Sequence, residues 1–452
     1  MTFTPHTDSE VEEMLKAIDV KRIEDLFQEI PESFRFPDLA IPSKLTEIEI
    51  LSELQEIASA NATTGDMPCF LGAGAYDHYI PAVVDMLLRR SEFYTAYTPY
   101  QPEISQGTLQ AVFEYQSLIC SLTGMDVSNA SHYDGATAAA EAVILAYHFF
   151  RGKRKKVLLS RAVNPQYRQV IRTYMHGYED LQITGDNQAT SLESDLETIK
   201  RQIDPDTALV LLQYPDFFGR IYDYASLIDA AHKVGALVAV AINPTALGML
   251  TPPGEFGADI VVGEGQPLGL PLSYGGPYLG LFATKSRLVR KIAGRLVGKT
   301  RDIDEQPAYV LTLTAREQHI RRDKSTSNIC TNQGLMALAS TIYMSLLGKQ
   351  GFKHLANLCY QKAHYAAQQI DKLDGFEVVY KDTPFFHEFL VRCPKPVSMI
   401  NLALQDYMIL GGFDVFEDYP ELENHMLIAV TEKITKNEID AFCETLEKVT
   451  HD

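Results

Sequence analysis

The chain has 452 residues, with 46% hydrophobic and 22% charged side chains, enough apolar sequence for a large core and enough length for two or three domains. A formal net charge of -19 repels phosphate backbones and anionic membrane surfaces, which argues against nucleic acid or a membrane as partner. The longest purely apolar run, 236–242, falls far short of the roughly 20 residues that cross a bilayer, and the polar, acidic 1–13 has no apolar secretory core, so a cytoplasmic protein is expected.

Residues 1–66 read as a helical arm. Thr7 with Glu10, and Thr46 with Glu49, have capping-box spacing ahead of Val11, Leu15 and Ile18, and of Ile50, Leu54 and Ile57. Both helices are amphipathic and need a surface to cover. Pro31, Pro37 and Pro42 break the path between them, which suits an arm laid over a neighbouring domain or subunit.

Residues 67–310 read as a large α/β domain. Short Val/Leu/Ile-rich runs at 157–160, 208–213, 236–241 and 260–262 alternate with helical periodicity at 165–175, 192–203 and 225–234. Continuous apolar strands separated by helices imply a mostly parallel sheet with helices on both faces. The basic run 151–156 reads as a solvated connection. After a Gly-Gly-Pro turn a further strand is expected at 278–283, and Lys285, Arg287, Arg290 and Lys291 then read as a solvated basic helix. Residues 311–452 form a smaller α/β domain, with a long helical region at 333–373, strand-like runs at 376–380, 385–391 and 426–431, and a closing helix at 436–449. The cysteines Cys69, Cys120, Cys330, Cys359, Cys393 and Cys443 are scattered without a Cys-x-x-Cys pair, so reduced, mostly buried thiols and no metal are expected.

Four segments carry candidate chemistry. The loop from Tyr97 to Gly107 is fixed by two prolines and presents Tyr97, Tyr100, Gln101, Glu103, Ser105 and Gln106, a density of hydrogen-bonding groups that points to a ligand or an interface. The run Ser131-His132-Tyr133-Asp134-Gly135-Ala136-Thr137 enters an alanine-rich helix whose free N–H groups could hold an anion, although Asp134 or Thr137 could simply cap the helix. Asn243-Pro244 follows the 236–241 strand and, taken alone, is ordinary turn chemistry. Finally, 263–277 is a Gly/Pro-rich loop with Gln266 near its start. The 70–76 segment has a Gly-x-Gly but no preceding strand and no third glycine, so a dinucleotide fingerprint is not supported.

Through 70–79, 97–107, 133–142, 252–280 and 316–332 the chain resembles the P-protein family of the glycine cleavage system, in the form of subunit 1 (alpha) of the split bacterial enzyme. The resemblance implies the fold of a fold type I pyridoxal-phosphate enzyme and an α2β2 assembly with a similarly folded beta subunit. It places Gln266 where the cofactor lysine would be, Gly265 where a ring-stacking histidine would be, and Asn243 where an aspartate would protonate the ring nitrogen. An amide nitrogen cannot form an imine, so pyridoxal 5'-phosphate is expected on the partner beta subunit. His132, Gly135, Thr137, Asn243 and Gln266 then form a degenerate cofactor site. The implied reaction decarboxylates glycine and passes the aminomethyl group to the lipoyl arm of H-protein. Each active site of such assemblies lies at a subunit interface, which makes Tyr97, Tyr100 and Glu103 the catalytic candidates, with Gln101, Ser105 and Gln106 as candidates for the substrate cleft. Two readings compete: a non-catalytic scaffold, and an autonomous pyridoxal decarboxylase or aminotransferase using another lysine such as Lys285.

Overall fold

The computed structural model describes residues 6–329 and 331–451, in two compact units, Met1–Ala62 and Thr63–Asp452; Cys330 lies outside the described residues. In the first unit both expected capping boxes form: the Thr46 hydroxyl accepts from the Glu49 N–H while the Glu49 carboxylate accepts from the Thr46 N–H at 2.7 Å, and Thr7 with Glu10 repeats the arrangement. Each box satisfies N–H groups that a helix start leaves without intrahelical partners. Neither the Asp8–Ala17 nor the Glu47–Ser59 helix buries a single residue, and Ile18, Leu26, Phe34, Ile48, Leu54 and Ile57 are all exposed.

The second unit is built on a seven-stranded sheet of β1 (Val127–Ser128), β2 (Lys156–Leu159), β3 (Gln182–Thr184), β4 (Thr207–Tyr214), β5 (Leu237–Ile242), β6 (Ile260–Glu264) and β7 (Gly280–Thr284). Their spatial order is β1-β7-β6-β5-β4-β2-β3, with β7 antiparallel to both its neighbours and the remaining pairs parallel. Alternation sorts each strand onto two faces. Leu209, Leu211, Ala239 and Val262 pack under the Gly135–Phe149 and Pro165–Met175 helices, while Val210, Leu212, Val240 and Val261 pack under Gln106–Thr123, Ala225–Lys233 and the start of Gly334–Ile370. Every one of these strand residues is fully buried, and each Val or Leu among them contributes about 1.5–3 kcal/mol from its apolar area.

A hairpin of β8 (Leu296–Arg301) and β9 (Pro307–Thr312), not foreseen from the sequence, follows the large sheet. The long helix Gly334–Ile370 has a non-helical break at Gly348 (φ 57°). Ahead of the break Ala337, Ala339 and Tyr343 join the core of the large sheet, and beyond it Ala363, Ala366 and Ile370 join a second core. That core lies under the antiparallel sheet β10 (Glu377–Val378), β11 (Glu388–Arg392), β12 (Phe413–Asp414) and β13 (His425–Ala429), ordered β10-β11-β13-β12, and is closed by Val397–Gln405 and Lys436–His451.

The basic helix expected from Lys285 does not form. Only the 3-10 turn Ser286–Leu288 is present, because Leu288 and Ile292 turn inward to the core while Arg287 turns to Asp259. Five cysteines are free thiols, four of them buried. No helix among the described residues is long and apolar enough to cross a membrane.

Candidate functional site

The carboxyl ends of β5 and β6 open toward the amino end of the Gly135–Phe149 helix, the crevice where open α/β sheets bind ligands. Gln266 lies two residues past β6 and is 1% exposed. Its side chain is fully engaged. Nε2 donates to the carbonyls of Tyr76 and Leu270, each at 2.9 Å, and Oε1 accepts from the Tyr76 N–H at 2.9 Å. The amide therefore pairs with the backbone of Tyr76 on both sides, as one strand residue pairs with another, and pins the 70–79 segment over the sheet end.

Two further carboxyls complete the network. The Tyr76 hydroxyl donates to Glu388 at 2.8 Å, and the Ala73 N–H donates to the other Glu388 oxygen at 2.7 Å. Glu264, the last residue of β6, accepts from the N–H groups of Gln266 at 2.9 Å, Leu279 at 3.2 Å and Gly135 at 3.0 Å. Burial pushes Glu264 up to about 8 and Glu388 up to about 7, against the pull of these donors. Composition gives no hint of this arrangement. The one signal in the chain is an acidic residue ending an otherwise apolar buried strand.

Of the positions expected to form a degenerate cofactor site, Gly135 and Gln266 bond to Glu264 and Asn243 lines the small space beside it, and all five expected positions are engaged by the protein's own groups. Asp134 caps the helix through the Thr137 N–H at 2.8 Å, and the Thr137 hydroxyl turns back onto the Asp134 backbone, so capping is the role both residues take. A Cβ on Gly135 would overlap the Tyr167 hydroxyl, and one on Gly265 would lie 2.8 Å from the Leu279 side chain, leaving no room for a stacking ring. The Asn243 Oδ1 accepts from the Thr245 N–H at 3.0 Å, while its Nδ2 lies 2.8 Å from His387 Nε2. His132 is fully buried against Phe282 and Asn129, and burial pushes it down to about 3. The space left between Tyr76, Tyr167, Asn243 and Glu264 is about 20 Å³, room for roughly one water. A pyridoxal ring with its phosphate does not fit these residues.

Lys285 lies at the wrong end of the sheet. Glu264 is in register with the first residue of β7, Gly280, whereas Lys285 follows the last, Thr284, and its amine donates to the Gly254 carbonyl at 2.9 Å. Five residues of strand, about 17 Å, separate it from the Gln266 end.

The Tyr97 to Gln106 loop is on the surface, away from that network. Tyr97 is 86% exposed and Tyr100 49%, with Gln101 and Glu103 also exposed, while Ser105 and Gln106 are partly buried. The ring of Tyr100 packs beside His319, and the Arg295 guanidinium lies over it at 5.8 Å. Arg295 also donates to the Thr98 hydroxyl at 3.2 Å and to the Asn332 carbonyl oxygen at 3.0 Å, tying the loop to the segment ahead of the long helix. Gln106 anchors the other end: its amide accepts from the Tyr309 N–H at 2.8 Å and donates to the Tyr309 carbonyl at 2.9 Å on β9. Beside this loop a cavity of about 210 Å³ runs between Phe93, Tyr97, Val112, Arg295 and Leu335.

One trio of potential metal donors occurs among the described residues, His78, Cys359 and Glu432, with donor atoms within 4.8 Å of one another. They already bond to each other, His78 Nδ1 to Glu432 at 2.7 Å and the Cys359 thiol to Glu432 at 3.4 Å. Burial and the adjacent carboxylate push the Cys359 thiol well above its usual value.

Residues 1–446 match the family model described as glycine cleavage system P-protein. A relative from Geobacillus sp. (strain WCH70), named probable glycine dehydrogenase (decarboxylating) subunit 1, is 54% identical over 448 residues and covers 98% of both chains. Another of that name from Desulforamulus reducens is 51% identical over 451 residues, covering 100% of both. A solved structure of glycine decarboxylase (P-protein) of the glycine cleavage system, in inhibitor-bound form, superposes with a TM-score of 0.88 at 40% identity, over 99% of this chain and 100% of that one.

Proposed function

From a chain that belongs to the glycine cleavage system P-protein family, we propose a working role: the subunit without the cofactor in a two-chain glycine decarboxylase. The observation that carries the reading is Gln266, a buried and fully bonded amide where an imine-forming lysine would stand. A homologous partner subunit bears the pyridoxal phosphate, which supplies the electron sink for loss of carbon dioxide from glycine. The aminomethyl group then joins one sulfur of the lipoyl disulfide of H-protein as the S–S bond opens, and the other sulfur leaves as a thiol.

This chain's share is positional. The loop bearing Tyr97, Tyr100 and Glu103 reaches the partner's site in an α2β2 assembly. Arg295 and Gln106 hold its two ends, so that Tyr100 and Glu103 are presented with little orientational freedom to lose, worth a few kcal/mol in a well-aligned site. Gln101 and Ser105 line the same cleft. The apolar faces of the two N-terminal helices are suited to covering a subunit surface. The assembly works in the cytoplasm.

The test is glycine-dependent exchange of labelled bicarbonate by the purified chain with pyridoxal phosphate and lipoylated H-protein, with and without the partner subunit. Exchange and a visible cofactor band only when the partner is present support the reading. Exchange by the chain alone overturns it. A scaffold differs from an active-site subunit in one respect, tolerance of alanine at Tyr97, Tyr100 and Glu103 in the assembled enzyme.

A further inference from the structure

We propose that Glu264 is an internal ligand, a tethered carboxyl group whose oxygens fill the N–H cradle at the amino end of the Gly135–Phe149 helix, which keeps phosphate-bearing molecules out. The helix start already has its ordinary cap from the preceding residue, Asp134, through the Thr137 N–H. Glu264 is a second carboxyl, from a strand 129 residues away, and it takes the Gly135 N–H that the first leaves open. Its two oxygens gather three backbone N–H groups from three separate segments, the helix start, the loop after β6 and the residue just ahead of β7. Convergent N–H groups at a helix terminus are the pattern that binds phosphate oxygens. Here they converge on a side chain of the same protein, 8% exposed, with Tyr167 lining the same small space.

The close fit is built into the backbone. Position 135 tolerates no Cβ, since the Tyr167 hydroxyl and the Glu264 backbone nitrogen, at 2.7 Å from that point, occupy the space. A free anion would have to displace a carboxyl group held at the high effective concentration of a short tether, millimolar or above. Phosphate well below that concentration does not compete on those terms. The inference stands on this geometry and not on the glycine chemistry proposed above, so failure of a decarboxylation assay leaves it untouched.

Glu264→Ala deletes an acetate-sized fragment, which makes chemical rescue the test. Melting temperature is followed for wild type and variant with sodium acetate or inorganic phosphate against sodium chloride of equal ionic strength. The variant is expected to be destabilised and then to regain stability specifically with acetate or phosphate; at ten times the dissociation constant its unfolding equilibrium constant falls about elevenfold. Wild type shows only the small general effect of the salts. Equal anion responses in both proteins, or none in the variant, overturn the proposal, as does specific phosphate stabilisation of wild type. Should Glu264→Ala not fold unaided, refolding yield with and without acetate reads the same competition. If no condition yields folded variant, the wild-type titration decides.

Discussion

Replacing Gln266 by leucine, which keeps the volume and removes the amide, isolates its hydrogen bonds. Three are lost. The Tyr76 carbonyl retains a second donor, the His78 N–H at 3.0 Å, so it is not orphaned. The Tyr76 N–H and the Leu270 carbonyl lose their partners in a buried setting. Each unsatisfied buried group costs about 1–3 kcal/mol, which gives about 4 kcal/mol for the pair. The Thr63–Asp452 unit has about 390 residues and an unfolding entropy of about 0.8 kcal/mol per kelvin, so the melting temperature should fall by roughly 5 °C. Differential scanning calorimetry, with urea unfolding in parallel, measures it. Gln266→Lys is the harsher companion: it leaves the Tyr76 N–H without an acceptor and sets an ammonium in a site only 1% exposed, so it should melt lower still and show no visible imine band with pyridoxal phosphate. A leucine variant melting within about 1 °C of wild type, or a stable lysine variant with an imine band, would falsify the clamp and the closed site together.

Stability should fall as pH rises from 6.5 to 8. Glu264, Glu388 and Glu141, pushed by burial to about 8, 7 and 7 from 4.5, keep their protons in the folded state after the unfolded chain has released them. Their contribution is full below about 4.5 and is lost as pH rises through the folded values. Below 6.5 the opposing histidines His132 and His387, both pushed down to about 3, mask the trend. Glu264→Gln should therefore flatten the 6.5–8 limb by up to about 2 kcal/mol in urea unfolding, and an unchanged slope rejects the assignment. Asn243→Asp would set a carboxylate against His387 Nε2, now 2.8 Å from the amide, and should bring that imidazole's titration up into the pH 5–8 window by NMR; no movement would show that the pair is not coupled. Tyr100→Phe, remote from the closed network, should reduce bicarbonate exchange by the assembled enzyme about tenfold while leaving co-elution with the partner intact, and full activity would remove Tyr100 from the site.

Local patterns carried much of the architecture. The capping boxes at Thr7 and Thr46 and the Pro165–Met175 helix lie where their residues place them, because each depends on neighbours three or four positions away. The buried strands were equally plain, since β5 consists of six consecutive buried apolar residues. The β8–β9 hairpin was not, because Gly298, Lys299, Thr300 and Arg301 give no apolar alternation. Lys285 to Lys291 looked like a charged helix until Leu288 and Ile292 found the core. Within the candidate site, only the family resemblance singled out Gln266. The partnership of Gln266 with Tyr76, and of Glu264 with Gly135, joins residues 190 and 129 positions apart, and nothing local encodes it.

The clamp between Gln266 and Tyr76 also bears on how such a division of labour persists over evolutionary time. A lineage that loses a catalytic lysine could in principle regain it by a single codon change. Here the volume around Gln266 is buried core. Gln266 holds Tyr76, Tyr76 holds Glu388, and Glu264 holds both the helix start and the loop, so restoring one residue breaks bonds made by the others. Each single step back passes through a less stable protein, and only several simultaneous changes would reopen the pocket. Where the partner subunit carries the cofactor, as proposed above, that arrangement is then hard to reverse by single substitutions.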